Sequence, residues 1–102
     1  MDDAIRNNKN VRELDLRNNK IGHEGVKAIS DALKNNHSLE KLSLNKNQIS
    51  LEGAIAIATV LRINNTLKIL DLEYNKVGDE GVKALADALS TNHCLELLFF
   101  WW

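Results

Sequence analysis

Apolar and polar residues alternate over short stretches, then shift to a wider spacing, and this change of period recurs along the chain. Val11, Leu14 and Leu16 are followed 28 residues later by Leu39, Leu42 and Leu44, then by Leu67, Leu70 and Leu72, and last by Leu95, Leu98 and Phe100. Such a set, with polar residues between its members, predicts a short strand buried on one face. After each strand, Gly25, Val26, Ile29, Ala32 and Leu33 recur as Gly53, Ala54, Ile57, Val60 and Leu61, then as Gly81, Val82, Leu85, Ala88 and Leu89. Their spacing of three and four makes one apolar stripe on a helix. The pattern predicts helices over residues 23–35, 51–63 and 79–91. Gly22, Ser50 and Gly78 stand at the N-cap positions, and Glu24, Glu52 and Glu80 fall in the first turn, where the helix dipole favours acid. Asn36, Asn64 and Asn92 stand just past the helix ends, where asparagine tolerates a left-handed turn.

The frame divides the chain into full units at 11–38, 39–66 and 67–94, with partial units at 1–10 and 95–102. DAIRNNKN near the start aligns with DALKNNHS at the end of the first full unit, which predicts a partial helix over residues 2–8. No segment is left over for a second domain. Strand–helix units in series demand a parallel sheet with right-handed crossovers, each unit stacked on its neighbours.

The pattern LxxLxLxxN-x-I/V-xxx-G-xxx-I/L-xx-A/V-L resembles the leucine-rich repeat of the ribonuclease-inhibitor subclass, as in NOD-like receptors and Ran GTPase-activating protein, over nearly the whole chain. The resemblance implies a right-handed α/β horseshoe with the sheet on the concave face and the helices on the convex face. It also implies that Asn19, Asn47 and Asn75, at the strand exits, are buried and bond backbone groups of the turn; an amide can both donate and accept there. Gly25, Gly53 and Gly81 sit near the helix starts, where the absence of a side chain lets helix and strand approach closely. There is no Gly-x-Gly and no Gly-Lys-Ser/Thr, so these glycines make no phosphate loop.

Charge narrows the partner class. Thirteen Lys and Arg against 14 Asp and Glu leave a net charge of -1, without the positive field that nucleic acid or an acidic membrane surface demands. The longest apolar run, Leu97 to Trp102, is far short of the ~20 residues needed to cross a bilayer, and the opening MDDAIRNNKN is unlike a basic signal start. A single cysteine, Cys94, cannot form an intramolecular disulfide, in keeping with a cytoplasmic or nuclear compartment.

No constellation of side chains supports catalysis, a metal or a cofactor. His37 and His93 share one unit position two units apart, a separation of roughly 10–20 Å, whereas zinc needs ligands at ~2.0–2.3 Å. His23 belongs to a helix start. Cys94 adjoins His93, but neighbours on an extended chain point apart. Asp15 and Asp71 face outward with Ser43 between them, about 10 Å apart, outside the carboxylate separations of glycosidases.

The residues between the leucines face away from the core and stand in columns ~4.8 Å apart along the sheet. One column reads Arg12, Glu40, Lys68, Glu96; the next Glu13, Lys41, Ile69, Leu97; the next Asp15, Ser43, Asp71, Phe99. Beyond the strand come Arg17, Asn45, Glu73, Trp101, then Asn18, Lys46, Tyr74, Trp102. Polarity falls from the first unit to the last. Ile69, Tyr74, Leu97, Phe99, Trp101 and Trp102, with Asp71 and Glu73 among them, are therefore expected to form the protein-binding part of the concave face, Tyr and Trp being favoured anchors. An accident of the chain boundary is the competing reading of LFFWW. Leu51 and Ile55 make a smaller convex patch where the other units carry His23, Asp79, Lys27 and Lys83.

These observations predict a non-enzymatic protein-interaction module without cofactors. The resemblance adds two further readings, a docking regulator of a nuclease or small GTPase and a sensing segment of a NOD-like receptor. Neither end carries a polar capping unit, so the chain reads as a piece of a longer solenoid that self-associates through its ends.

Overall fold

A computed structural model of the chain describes residues 11–99. The expected partial helix over 2–8 and partial unit 1–10, together with Phe100, Trp101 and Trp102, lie outside the described residues. Four three-residue strands, β1 (Glu13–Asp15), β2 (Lys41–Ser43), β3 (Ile69–Asp71) and β4 (Leu97–Phe99), alternate with α1 (Gly22–Leu33), α2 (Leu51–Leu61) and α3 (Gly78–Leu89). The strands form one parallel sheet in chain order, with Leu14, Leu42, Leu70 and Leu98 in register across it. The helices form a second layer, α1 against α2 and α2 against α3. This is the α/β arrangement of parallel strands and flanking helices that the alternation of periods predicts and the leucine-rich-repeat resemblance implies.

The core lies between the layers. Leu42, Leu44, Leu70 and Leu72 from the strands meet Ile29, Ile57, Leu61 and Leu85 from the helices, all fully or almost fully buried. Burial of each such side chain contributes about 1.5–3 kcal/mol. Leu14 and Leu98 in the outer strands, and Leu16 and Leu95 beside them, are only partly buried.

The helices end about two residues earlier than the apolar stripe suggests. Past Leu33 the N–H groups of Asn35 and Asn36 donate to Ala32 and Leu33 carbonyls, three residues back, and the last turn tightens. Asn36, Asn64 and Asn92 are not in the left-handed region. Instead the Asn64 Oδ1 accepts the N–H groups of Thr66 and Leu67 at 2.9 and 2.8 Å. Its Nδ2 donates to the carbonyls of Leu33 and Asn36 in the preceding unit at 3.1 and 3.2 Å. Asn92 repeats the pattern onto Leu61 and Asn64. These asparagines tie one unit to the next by side-chain bonds, which a local turn preference does not require.

Left-handed backbone is concentrated in the loop between strand and helix. Asn18, Lys46 and Tyr74 share one unit position and have φ of 57°, 56° and 59°. Gly22 and Gly78 open their helices at 66° and 71°, a conformation that a missing Cβ permits. Ser50, at the equivalent place, is the extended N-cap of α2, and its hydroxyl makes no capping bond. Gly25, Gly53 and Gly81 do give close approach, but not to a strand. A Cβ on Gly81 would stand 2.8 Å from the Val77 Cβ and 3.2 Å from the Ala54 Cβ, so the glycine accommodates the residue before its own helix and the helix alongside. No helix among the described residues is long and apolar enough to cross a membrane.

Candidate functional site

Strand alternation turns Leu70 and Leu72 into the core and leaves Ile69, Asp71 and Glu73 half-buried on the opposite face of the sheet. Leu97 pairs with Ile69 and Phe99 with Asp71. Leu97 is half exposed, so Ile69 and Leu97 form an apolar step on this face. Tyr74 follows in the left-handed turn with 53% of its surface exposed.

Tyr74 lines a depression at the strand exits with Asp15, Arg17, Asn45 and Lys46, and the Lys46 Nζ lies 5.4 Å from its ring centroid, within cation–π range. Ile69 lines a separate shallow groove towards the strand starts, with Lys41, Lys68 and Glu96. Trp101 and Trp102, expected on this face, lie outside the described residues.

The outward charges are paired on the β1 side. Arg17 Nη2 meets Asp15 Oδ2 at 2.7 Å and Arg12 Nη1 meets Glu40 Oε2 at 3.4 Å. The Arg17 side-chain and backbone hydrogen bonds hold the Asp15 carboxyl below its ordinary value. On β3 the arrangement differs. Asp71 accepts the Glu73 N–H at 3.0 Å and the Asn45 Nδ2 at 3.3 Å, both neutral donors. Desolvation, reinforced by neighbouring Asp71, pushes the Glu73 carboxyl up.

Beneath this face the repeated asparagines fix the turns. Asn47 and Asn75 are buried, and Asn75 Nδ2 donates to the Leu44, Leu72 and Glu73 carbonyls. Asn19, in contrast to the burial implied for its position, is exposed; its Nδ2 donates to the Arg17 carbonyl at 3.1 Å. The pairings Asp15–Arg17, Asp71–Asn45 and Lys46–Tyr74 are absent from the sequence reading. The 28-residue offset places Lys46 beside Tyr74, but the turn conformation that brings ammonium and ring together leaves no periodic mark.

The fold and its outward face define a leucine-rich-repeat domain. Within that class, the chain belongs to the tropomodulin/leiomodin family: the model of the TMOD/LMOD leucine-rich domain matches residues 1–100. Among solved structures, it is similar to leiomodin-1 actin-binding site 2, with a TM-score of 0.93 and 26% identity over 98% of this chain and 59% of that one. It also superposes on the tropomodulin C-terminal domain from Caenorhabditis elegans with a TM-score of 0.85, at 20% identity, over 95% of this chain and 59% of that one, a likeness of fold. The chain thus spans about three-fifths of either structure. A comparison with curated proteins found no match.

The family match corrects the subclass suggested by the repeat motif. The ribonuclease-inhibitor-like, NOD-like-receptor and Ran-activator resemblance does not hold, and the nuclease, GTPase and receptor-sensor readings that rested on it fall with it. The reason is physical. The leucines, asparagine and glycine of the motif are core and turn positions that a stacked strand–helix unit needs whatever it binds, so they do not separate one subclass from another.

Proposed function

We propose that this chain binds actin through the outward face of its sheet, the concave face of the solenoid. Ile69, Asp71, Glu73, Tyr74, Leu97 and Phe99 are its contact residues, and Trp101 and Trp102 extend the contact. The supporting observation is the likeness to the actin-binding site of leiomodin-1 over 98% of the chain. The outward columns supply the means: exposed Tyr74 offers a large, partly apolar contact on a rigid turn, and the Ile69–Leu97 step offers area that water covers poorly. An actin partner makes the cytoplasm the site of action.

Co-sedimentation with filamentous actin, together with equilibrium binding to actin monomers, tests the proposal. Tyr74→Ala with Phe99→Ala is expected to weaken binding by on the order of tenfold or more, as for central aromatic anchors. Lys27→Ala with Lys83→Ala, on the helices, is expected to leave it within about twofold. Absence of actin binding by the unmodified chain refutes the proposal. Loss of binding with Leu51→Ser and Ile55→Ser, but not with the Tyr74 and Phe99 changes, moves the interface to the helical face, where Leu51 and Ile55 are 39% and 48% exposed.

A further inference from the structure

Charge pairing divides the outward face of the sheet into two unequal halves. On the β1–β2 side Arg12 pairs with Glu40 and Arg17 with Asp15, and Glu13 stands in register with Lys41. At the end of β3 and in the turn that follows, neither Asp71 nor Glu73 has a cationic partner among the described residues. Arg17, the guanidinium whose field reaches Asp71, is already engaged by Asp15 at 2.7 Å. Glu73 lies in the turn just past β3, its N–H donates to the Asp71 Oδ1 at 3.0 Å and its carboxyl feels the Asp71 charge, so one basic group can contact both carboxylates. The apolar Ile69–Leu97 step adjoins them along the same strands.

Resting on the actin-binding reading, we infer that the β3–β4 half of the sheet docks a basic, apolar-flanked segment of the partner. A Lys or Arg of that segment sits between Asp71 and Glu73, and its apolar neighbours cover Ile69 and Leu97. The complementarity is local rather than a property of the whole chain, whose net charge is only -1. Glu73 gives independent support: its carboxyl is disfavoured as an ion by desolvation and by Asp71, and an incoming cation removes that penalty. Asp71, held by the Asn45 amide and the Glu73 N–H, is already oriented.

The experiment compares actin binding by the unmodified chain, by Asp71→Asn/Glu73→Gln, and by Asp79→Asn/Asp87→Asn. The second pair removes the same charge from the helical face. The expected result is a loss on the order of tenfold for the first pair, as when one side of a close charge pair is removed, and less than about twofold for the second. Equal effects of the two pairs, or no effect of either, overturn the inference while leaving actin binding intact. Failure of the unmodified chain to bind is a different result and refutes the actin reading itself. Salt supplies a measurement that needs no variant: affinity of the unmodified chain should fall between about 0.05 and 0.5 M salt, and a flat response overturns the charge-based docking.

Discussion

The side-chain oxygen of Asn75 accepts the backbone N–H of Asn47 at 2.9 Å, joining the same position of two successive units. The bond runs backwards along the chain, and the Asn75 amide follows it by donating to Leu44 at 3.0 Å. One buried side chain therefore serves the turn of its own unit and that of the unit before.

Asn75→Ala should strand several buried backbone groups and lower stability by about 1–3 kcal/mol or more. Asn19→Ala, at the same unit position but exposed, should cost clearly less. Chemical denaturation of the two variants checks this; equal losses would mean that the inter-unit bonds contribute little.

Gly81→Ala introduces a methyl 2.8 Å from the Val77 Cβ and 3.2 Å from the Ala54 Cβ. Neither neighbour is the tip of a flexible side chain, so relief requires movement of helix or turn. The expected loss is about 1–3 kcal/mol, the usual cost of overpacking. Thermal unfolding should place this variant below Lys83→Ala, a change at an exposed position of the same helix that inserts nothing.

Gln48 has φ of 61° and an exposed side chain. A left-handed residue with a Cβ costs roughly 1–2 kcal/mol, more than the entropy lost by introducing glycine, roughly 0.5–1 kcal/mol. Gln48→Gly should therefore leave stability unchanged or raise it by up to about 1 kcal/mol. The same change at Lys76, which is not left-handed, should lower it. Denaturation midpoints compared at constant slope decide the matter.

Asp15 and Glu73 should give opposite pH signatures. At Asp15 the folded chain favours the ionised form, so its stabilisation is present above the ordinary carboxylate value and lost as pH falls through the lowered one. At Glu73 the folded chain favours the neutral form, so its contribution is present below the ordinary value and lost as pH rises through the raised one. Relative to the unmodified chain, Asp15→Asn should be less stable at neutral than at acidic pH, and Glu73→Gln more stable. Unfolding measured from about pH 3 to pH 7, with carboxyl titration followed by NMR, tests both signs; a common sign for the two variants would show that the assigned neighbours do not control them.

The 28-residue period, the strand and helix of each unit, the parallel sheet and the buried leucines could all be read from the chain, because core burial imposes periods of two and 3.6 that survive in composition. The outward position of Ile69, Asp71 and Leu97 follows from the same alternation. Tertiary structure decided what periodicity cannot encode. Which carbonyl Asn64 reaches depends on the stacking of α1 beside α2, and the approach of the Lys46 ammonium to the Tyr74 ring depends on a left-handed turn that asparagine, lysine and tyrosine all occupy at one unit position. Side-chain pairing did the rest: Arg17, in the turn after β1, reaches back to Asp15 and leaves Asp71 with neutral donors, a choice set by distances of a few ångströms among residues that the repeat leaves free to vary.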